Sequence, residues 1–168
     1  MSLGMYQTAL PPAIRALTTL RHLLAKAAAH CEARKIDPSA VIGFRFFPDM
    51  LPFASQIRIA TDMSRLCVWR LSGVEAPKFT DDEKTFAELD ARVEKTLAFL
   101  SAAQPPQIDG TEDKPITFKT GRGEVTLRGV DYVQRFVLPN VYFHTTTTYD
   151  MLRHNGVEIG KADFLGDL

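Results

Sequence analysis

The chain has 168 residues, 45% hydrophobic and 24% charged, which is the composition of one globular domain (1–168) large enough to bury its own core, and not of a disordered tract. Twenty Lys and Arg are balanced by twenty Asp and Glu, which excludes the clustered basic excess of a nucleic-acid binder. Two cysteines make no disulfide framework, no apolar run approaches the ~18 residues of a membrane span, and the opening MSLGMYQTAL has no basic-then-apolar leader; a cytoplasmic protein without membrane contact is expected.

Four long segments carry helical periodicity. In the first, Leu10 to Arg34, the residues Leu10, Ala13, Leu17, Leu20, Leu24, Ala27 and Cys31 recur at spacings of three and four and form one inward stripe. Pro11-Pro12 fits the first turn of that helix, where N–H groups have no partner. Asp37-Pro38 predicts an N-cap and a short helical turn through Val41. The connection from Phe44 to Phe53 is too apolar for water and is expected to fold across the mouth of the core. A second helix, Phe53 to Leu71, turns Ile57, Ala60, Met63, Leu66, Cys67 and Leu71 inward and stops at Gly73. Thr80 with Glu83 predicts a capping box opening the third helix, whose stripe is Phe86, Leu89, Val93, Leu97 and Leu100 and which Pro105-Pro106 ends. Between Pro115 and Arg128 the period falls to two, predicting a hairpin around Gly121-Arg122-Gly123. The fourth helix runs from Val130 to His154 and closes at Asn155-Gly156; the tail beyond Val157 is short and of mixed polarity. The expected fold is mainly α: an up-down four-helix bundle with a long crossover between helices 1 and 2 and a small β-hairpin before helix 4.

Chemistry concentrates in the fourth helix. Its predicted inward stripe is Val130, Val133, Val137, Asn140, His144, Thr147 and Met151, so polar residues interrupt an apolar face beside the β-branched run Thr145 to Thr148 and the helix-breaking Pro139. A helix that breaks several local rules at one point is where a site is expected. Asn140 and His144 leave one face a turn apart, the spacing used by paired metal ligands, although an amide is a poor ligand for metals that suit imidazole. Gln56 of the second helix is the partner expected from across the bundle, and the pocket candidates are Asn140, His144, Gln56, Thr147 and Thr148, lining one concavity that opens towards Phe44–Phe53. The plainer alternative is a core histidine hydrogen-bonded to an amide. His22 is expected in solvent, with His30 and His154 offsetting helix dipoles. Cys31 and Cys67 read as inert core thiols, and no Ser-His-Asp or glycine-rich phosphate motif is present.

The segment Leu138-Pro139-Asn140-Val141-Tyr142-Phe143-His144, with Tyr149-Asp150-Met151-Leu152-Arg153-His154-Asn155-Gly156 and Asp163-Phe164-Leu165-Gly166 after it, resembles the C-terminal signature of the DUF1993 family, a bacterial branch of the DinB-like superfamily. Met1-Ser2-Leu3, Met5-Tyr6 and Arg34-Lys35-Ile36-Asp37-Pro38 resemble its N-terminal one. The resemblance implies a DinB-like four-helix bundle over the whole chain. It also implies a divalent metal such as zinc or nickel, held by a second-helix histidine and an HxxxH pair, with thiol-linked transferase chemistry in some members. Laid on this sequence those three positions fall on Gln56, Asn140 and His144. The expected function is therefore a small-molecule-binding or interaction bundle with a degenerate metal site and no favoured cofactor; the alternative is a metal-dependent, thiol-linked transferase or hydrolase with His144 as a ligand. A homodimer paired through helix faces is expected, the second helix being apolar on more than one side.

Overall fold

The computed structural model describes residues 3–166; Met1 and Ser2 of the N-terminal signature lie outside the described residues. In chain order the elements are α1 (Met5–Arg34), α2 (Pro38–Ile42), α3 (Phe53–Ser72), α4 (Phe86–Ala102), α5 (Pro105–Ile108), β1 (Pro115–Thr120), β2 (Gly123–Arg128), α6 (Gly129–Tyr132), a π-helical turn (Val133–Val137), α7 (Leu138–His154) and α8 (Lys161–Leu165). The protein is mainly helical, with a single two-stranded antiparallel sheet among the described residues.

The helical stripes bury as their periodicity dictates. All seven stripe residues of α1 are buried, and they meet Ile57 and Ala60 of α3, Leu89 and Val93 of α4 and Val137 and Val141 of the last helix in one core. In α3, Met63 and Leu66 are only half-buried. α1 starts at Met5, not Leu10, which puts Pro11 and Pro12 inside the helix. The carbonyls of Gln7 and Thr8 thereby lose their helical donors; both residues are at least partly exposed, so water can replace them. Asp37 caps α2 by accepting from the Ser39 N–H at 2.9 Å, and Gly73 ends α3 in the left-handed region. Ile116 and Phe118 of β1 face the core, with their partners Leu127 and Val125 half-buried.

Side-chain contacts fix the helix directions. Arg21 of α1 pairs with Asp90 of α4 at 2.7 Å, while the N–H of Tyr6 near the start of α1 reaches Asp109 beyond the end of α4; these two helices are antiparallel. Gln56 pairs with His144 and Arg70 with Tyr132, so α3 is antiparallel to the last helix. α3 and α4, however, run parallel: Phe53 lies against Phe86 and Thr61 against Arg92. The order is up-down-down-up, which corrects the alternating bundle expected from the sequence. The connection that travels the length of the bundle is accordingly residues 73–85, between the second and third long helices, and residues 35–52 merely join neighbouring helix ends. Thirteen extended residues reach up to about 40 Å, more than the ~30 Å of a 20-residue helix, so the crossover is sterically open.

That crossover is clamped from below by Arg92. Its side chain is 1% exposed and reaches Asp62 and Glu83 at 2.8 Å and Asp81 at 2.5 Å; it also donates to Thr61 and lies 4.3 Å over the Phe79 ring. Glu83, expected in a capping box with Thr80, is held instead by Arg92 and Arg58. The box that opens α4 is Thr85 with Glu88. Both pairs satisfy the same spacing, and the ion pairs decide which one caps.

Candidate functional site

The last helix is one continuous rod broken in phase by the π turn. There the N–H of Leu138 donates to the Val133 carbonyl, five residues back. Pro139 comes next and has no N–H to give, and the Asn140 side-chain amide donates to the Phe136 carbonyl at 2.7 Å. Asn140 is thus half-buried and committed to its own helix. The π turn admits one extra residue and rotates the rest of the helix about its axis, and Val141, not Asn140, enters the core.

One turn on, His144 is 7% exposed and Gln56 2%, and His144 Nδ1 lies 2.7 Å from Gln56 Oε1. The orientation of this pair is set by a third group. Gln56 Nε2 donates to the Leu51 carbonyl at 3.0 Å, and a carbonyl can only accept. The Gln56 oxygen therefore faces the imidazole, and Nδ1 must carry the proton it donates. Burial lowers the His144 pKa to about 4, so the ring is neutral at pH 7 and its Nε2 holds a free lone pair. No fully enclosed side-chain nitrogen or oxygen among the described residues lacks a partner; Nε2, which has none, is therefore not fully enclosed. The ring of Phe143 stands edge-on to the imidazole, with centroids 5.1 Å apart.

Thr147 and Thr148 do not add free polar groups. Their hydroxyls, like that of Thr145, donate to carbonyls four residues back, at 2.7–2.8 Å. This back-bonding lets a β-branched run sit inside a buried helix face. Of the five predicted pocket residues, then, Gln56 and His144 are brought together, while Asn140, Thr147 and Thr148 bond within their own helix.

The donor set expected for a metal is not assembled. Gln56 is spent on the histidine and the Leu51 carbonyl, Asn140 is turned to the backbone, and among the described residues no group of three or more His, Cys, Asp or Glu could hold an ion. The cysteines are both buried, and burial pushes the Cys67 thiol up to about 12, far from the thiolate.

The connection before α3 differs from expectation. Phe44 and Phe53 are tied by the Phe53 N–H to the Phe44 carbonyl at 2.9 Å, and Phe44 stacks on His154; Phe46, Phe47 and Leu51 between them are exposed. The C-terminal helix α8 carries no signal in the sequence. It docks on α1 through His22 to Asp163 at 2.7 Å, Thr19 to the Phe164 carbonyl and Arg15 to the Leu165 carbonyl. A cleft of about 700 Å³ lies between α1 and α8. No helix among the described residues is long and apolar enough to cross a membrane.

A family model described as a domain of unknown function, DUF1993, matches residues 5–165. The crystal structure of a DinB family member protein from Shewanella denitrificans superposes with a TM-score of 0.87 at 33% sequence identity, covering 97% of this chain and 92% of that one. No match was found among curated proteins.

Proposed function

Because the chain belongs to the DUF1993 family and folds like a DinB family member, we propose that it is a cytoplasmic small-molecule-binding bundle in which His144 Nε2 accepts a hydrogen bond from the ligand. The observation that carries this reading is the fixed array from the Leu51 carbonyl through Gln56 to His144. Burial keeps the imidazole neutral, and the array leaves its second nitrogen as an acceptor beside the exposed ring of Phe143. The ligand chemistry that matches is an N–H or O–H donor on a flat apolar body, stacked on or edged against that ring. The histidine position of a DinB-like metal site is thus used as a hydrogen-bond acceptor, with Gln56 doing the orienting that a carboxylate or carbonyl does behind a ligating histidine.

The test uses phenol and indole as probes. Each should raise the Tm of the wild-type protein progressively, with the logarithm of its concentration above Kd, and move the His144 Nε2 nitrogen resonance while leaving Nδ1 protonated. His144→Leu should fold and lose both responses. A Tm insensitive to these probes and to a panel of thiols, or an equal response in His144→Leu, overturns the proposal. Stoichiometric zinc or nickel in protein purified without a His-tag would favour the metal-dependent transferase instead.

A further inference from the structure

We propose that the strap of residues 45–52 is the cover of the His144 site, with Leu51 and Phe47 closing on a flat ligand that Phe143 supports; the proposal rests on the reading of His144 Nε2 as a ligand acceptor. Two hydrogen bonds carry it. The Gln56 side chain donates to the Leu51 carbonyl at 3.0 Å and accepts from His144 at 2.7 Å. One amide group separates those contacts, so the Leu51 carbonyl lies no more than about 8 Å from His144 Nδ1. An aromatic ligand hydrogen-bonded to the same imidazole is within side-chain reach of Leu51.

The strap is built to act as one piece. Phe47-Pro48-Asp49-Met50 is a turn closed by the Met50 N–H on the Phe47 carbonyl at 3.0 Å, with proline at the second position, where its fixed φ suits a turn. The turn folds Phe47 back towards Leu51, and Arg45 donates to the Met50 carbonyl at 2.8 Å across its base. Both ends are anchored. The Phe53 N–H donates to the Phe44 carbonyl, and Phe44 and Phe46 pack on the His154 ring, with centroids 5.3 and 5.4 Å away. Between the anchors Phe47 is 63% and Leu51 48% exposed, and the N–H groups of Phe47, Asp49 and Leu51 donate to nothing among the described residues. Pinned ends and an open apolar middle suit a cover: little conformational freedom is lost when it closes, and two large side chains leave water. Gln56 couples the strap to the site. Because one amide holds both Leu51 and the imidazole, a ligand that fixes His144 also fixes the strap, and the two share the cost of ordering. The ligand favoured is apolar on both faces with its donor on one edge, and the larger ring gains more from the cover.

Indole and phenol, titrated into the full chain and followed by amide hydrogen exchange and the His144 Nε2 resonance, test this. Indole at saturation should slow exchange at Phe47, Asp49 and Leu51 at least about threefold. Leu51→Ala and Phe47→Ala should each raise the Kd for indole about fivefold and for phenol about twofold, with the unliganded Tm nearly unchanged because both side chains are exposed. Trp69→Ala removes a comparably exposed ring near the other end of α3 and should leave both Kd values as they were. If either strap variant loses its helical circular dichroism, exchange in the wild type decides. Indole that moves Nε2 while exchange in the strap stays as before refutes the cover and leaves the His144 reading standing; so do losses in the strap variants no larger than that in Trp69→Ala. Indole that leaves Nε2 unmoved in the wild type overturns the His144 reading and the cover with it.

Discussion

Arg92→Met tests whether the crossover of residues 73–85 is held by the guanidinium beneath it. Methionine keeps much of the volume over the Phe79 ring, so the change removes charge and hydrogen bonds more than packing. Removing one side of a buried ion pair costs about 3–5 kcal/mol, because the partner stays behind uncompensated. Here each carboxylate has a second recourse: Glu83 keeps Arg58, Asp62 keeps Arg65, and Asp81 is more than half exposed. The loss should therefore fall at the low end, about 3 kcal/mol, equivalent to a fall in Tm of about 6–12 °C for a domain of this length. Urea titration followed by far-UV circular dichroism measures it, with Asp81→Asn as the control; that variant breaks one solvent-facing contact and should cost less than about 1 kcal/mol. Acid unfolding supplies a second readout. Burial alone would raise the Glu83 carboxyl, but hydrogen bonds from Arg92 and Arg58 outweigh it and hold the group below the ordinary glutamate range. A carboxylate depressed in the folded state lends stability above its unfolded pKa of ~4.3 and withdraws it as pH falls through the lower folded value. Arg92→Met should flatten that limb. A loss under about 1 kcal/mol, or one no larger than that of Asp81→Asn, would refute the clamp.

His144 makes a different pH signature. Its pKa is about 4 in the folded protein against ~6.5 unfolded, so the unfolded chain binds the extra proton and stability falls by about 3 kcal/mol as pH drops from 6.5 to 4; His144→Leu should remove that slope in denaturant midpoints measured across the window. Gly129→Ala should destabilise by about 1–3 kcal/mol, because a Cβ there would sit 2.1 Å from the Thr111 carbonyl oxygen; a neutral result in thermal unfolding would mean that the segment after α5 yields. Thr85→Ala should cost about 1 kcal/mol as a lost N-cap, and Thr80→Ala, on the same scale, almost nothing.

Most of the core was legible in the sequence, since period and burial are the same fact seen twice. The stripe of α1 needed only the spacing of three and four, and the hairpin only the change to a period of two. Helix direction was not legible in that way. The stripes of α3 and α4 look the same whether the two run parallel or antiparallel, and a 13-residue connection permits both. The deciding contact is the gathering of Phe79, Asp81 and Glu83 by one buried arginine, and Arg92 could not be singled out in a chain that carries acids and bases in equal number. α8 was hidden for a related reason: five residues of mixed polarity carry no helical period, and the helix exists by docking His22 and Thr19 of α1 against Asp163 and the Phe164 carbonyl.

Where the candidate residues sit was only partly legible, and the π turn accounts for Asn140. Spacings of three and four assume 3.6 residues per turn throughout, and on that assumption Asn140 and His144 share the stripe of Val133 and Val137. One extra residue in the turn at Val133–Val137 breaks the phase between those valines and everything after Pro139. Val141 takes the core position, Asn140 moves to the edge and mends the backbone of the turn that displaced it, and His144 enters the helix interface one step round from where a regular helix would put it. The signal was present in Pro139, which forbids a regular hydrogen bond at that step, and in the polar residue beside it. Pro139 shows that the helix must be irregular there, but not in which sense it rotates. His144 meets Gln56 across the helix interface, while Asn140, Thr147 and Thr148 bond to carbonyls of their own helix.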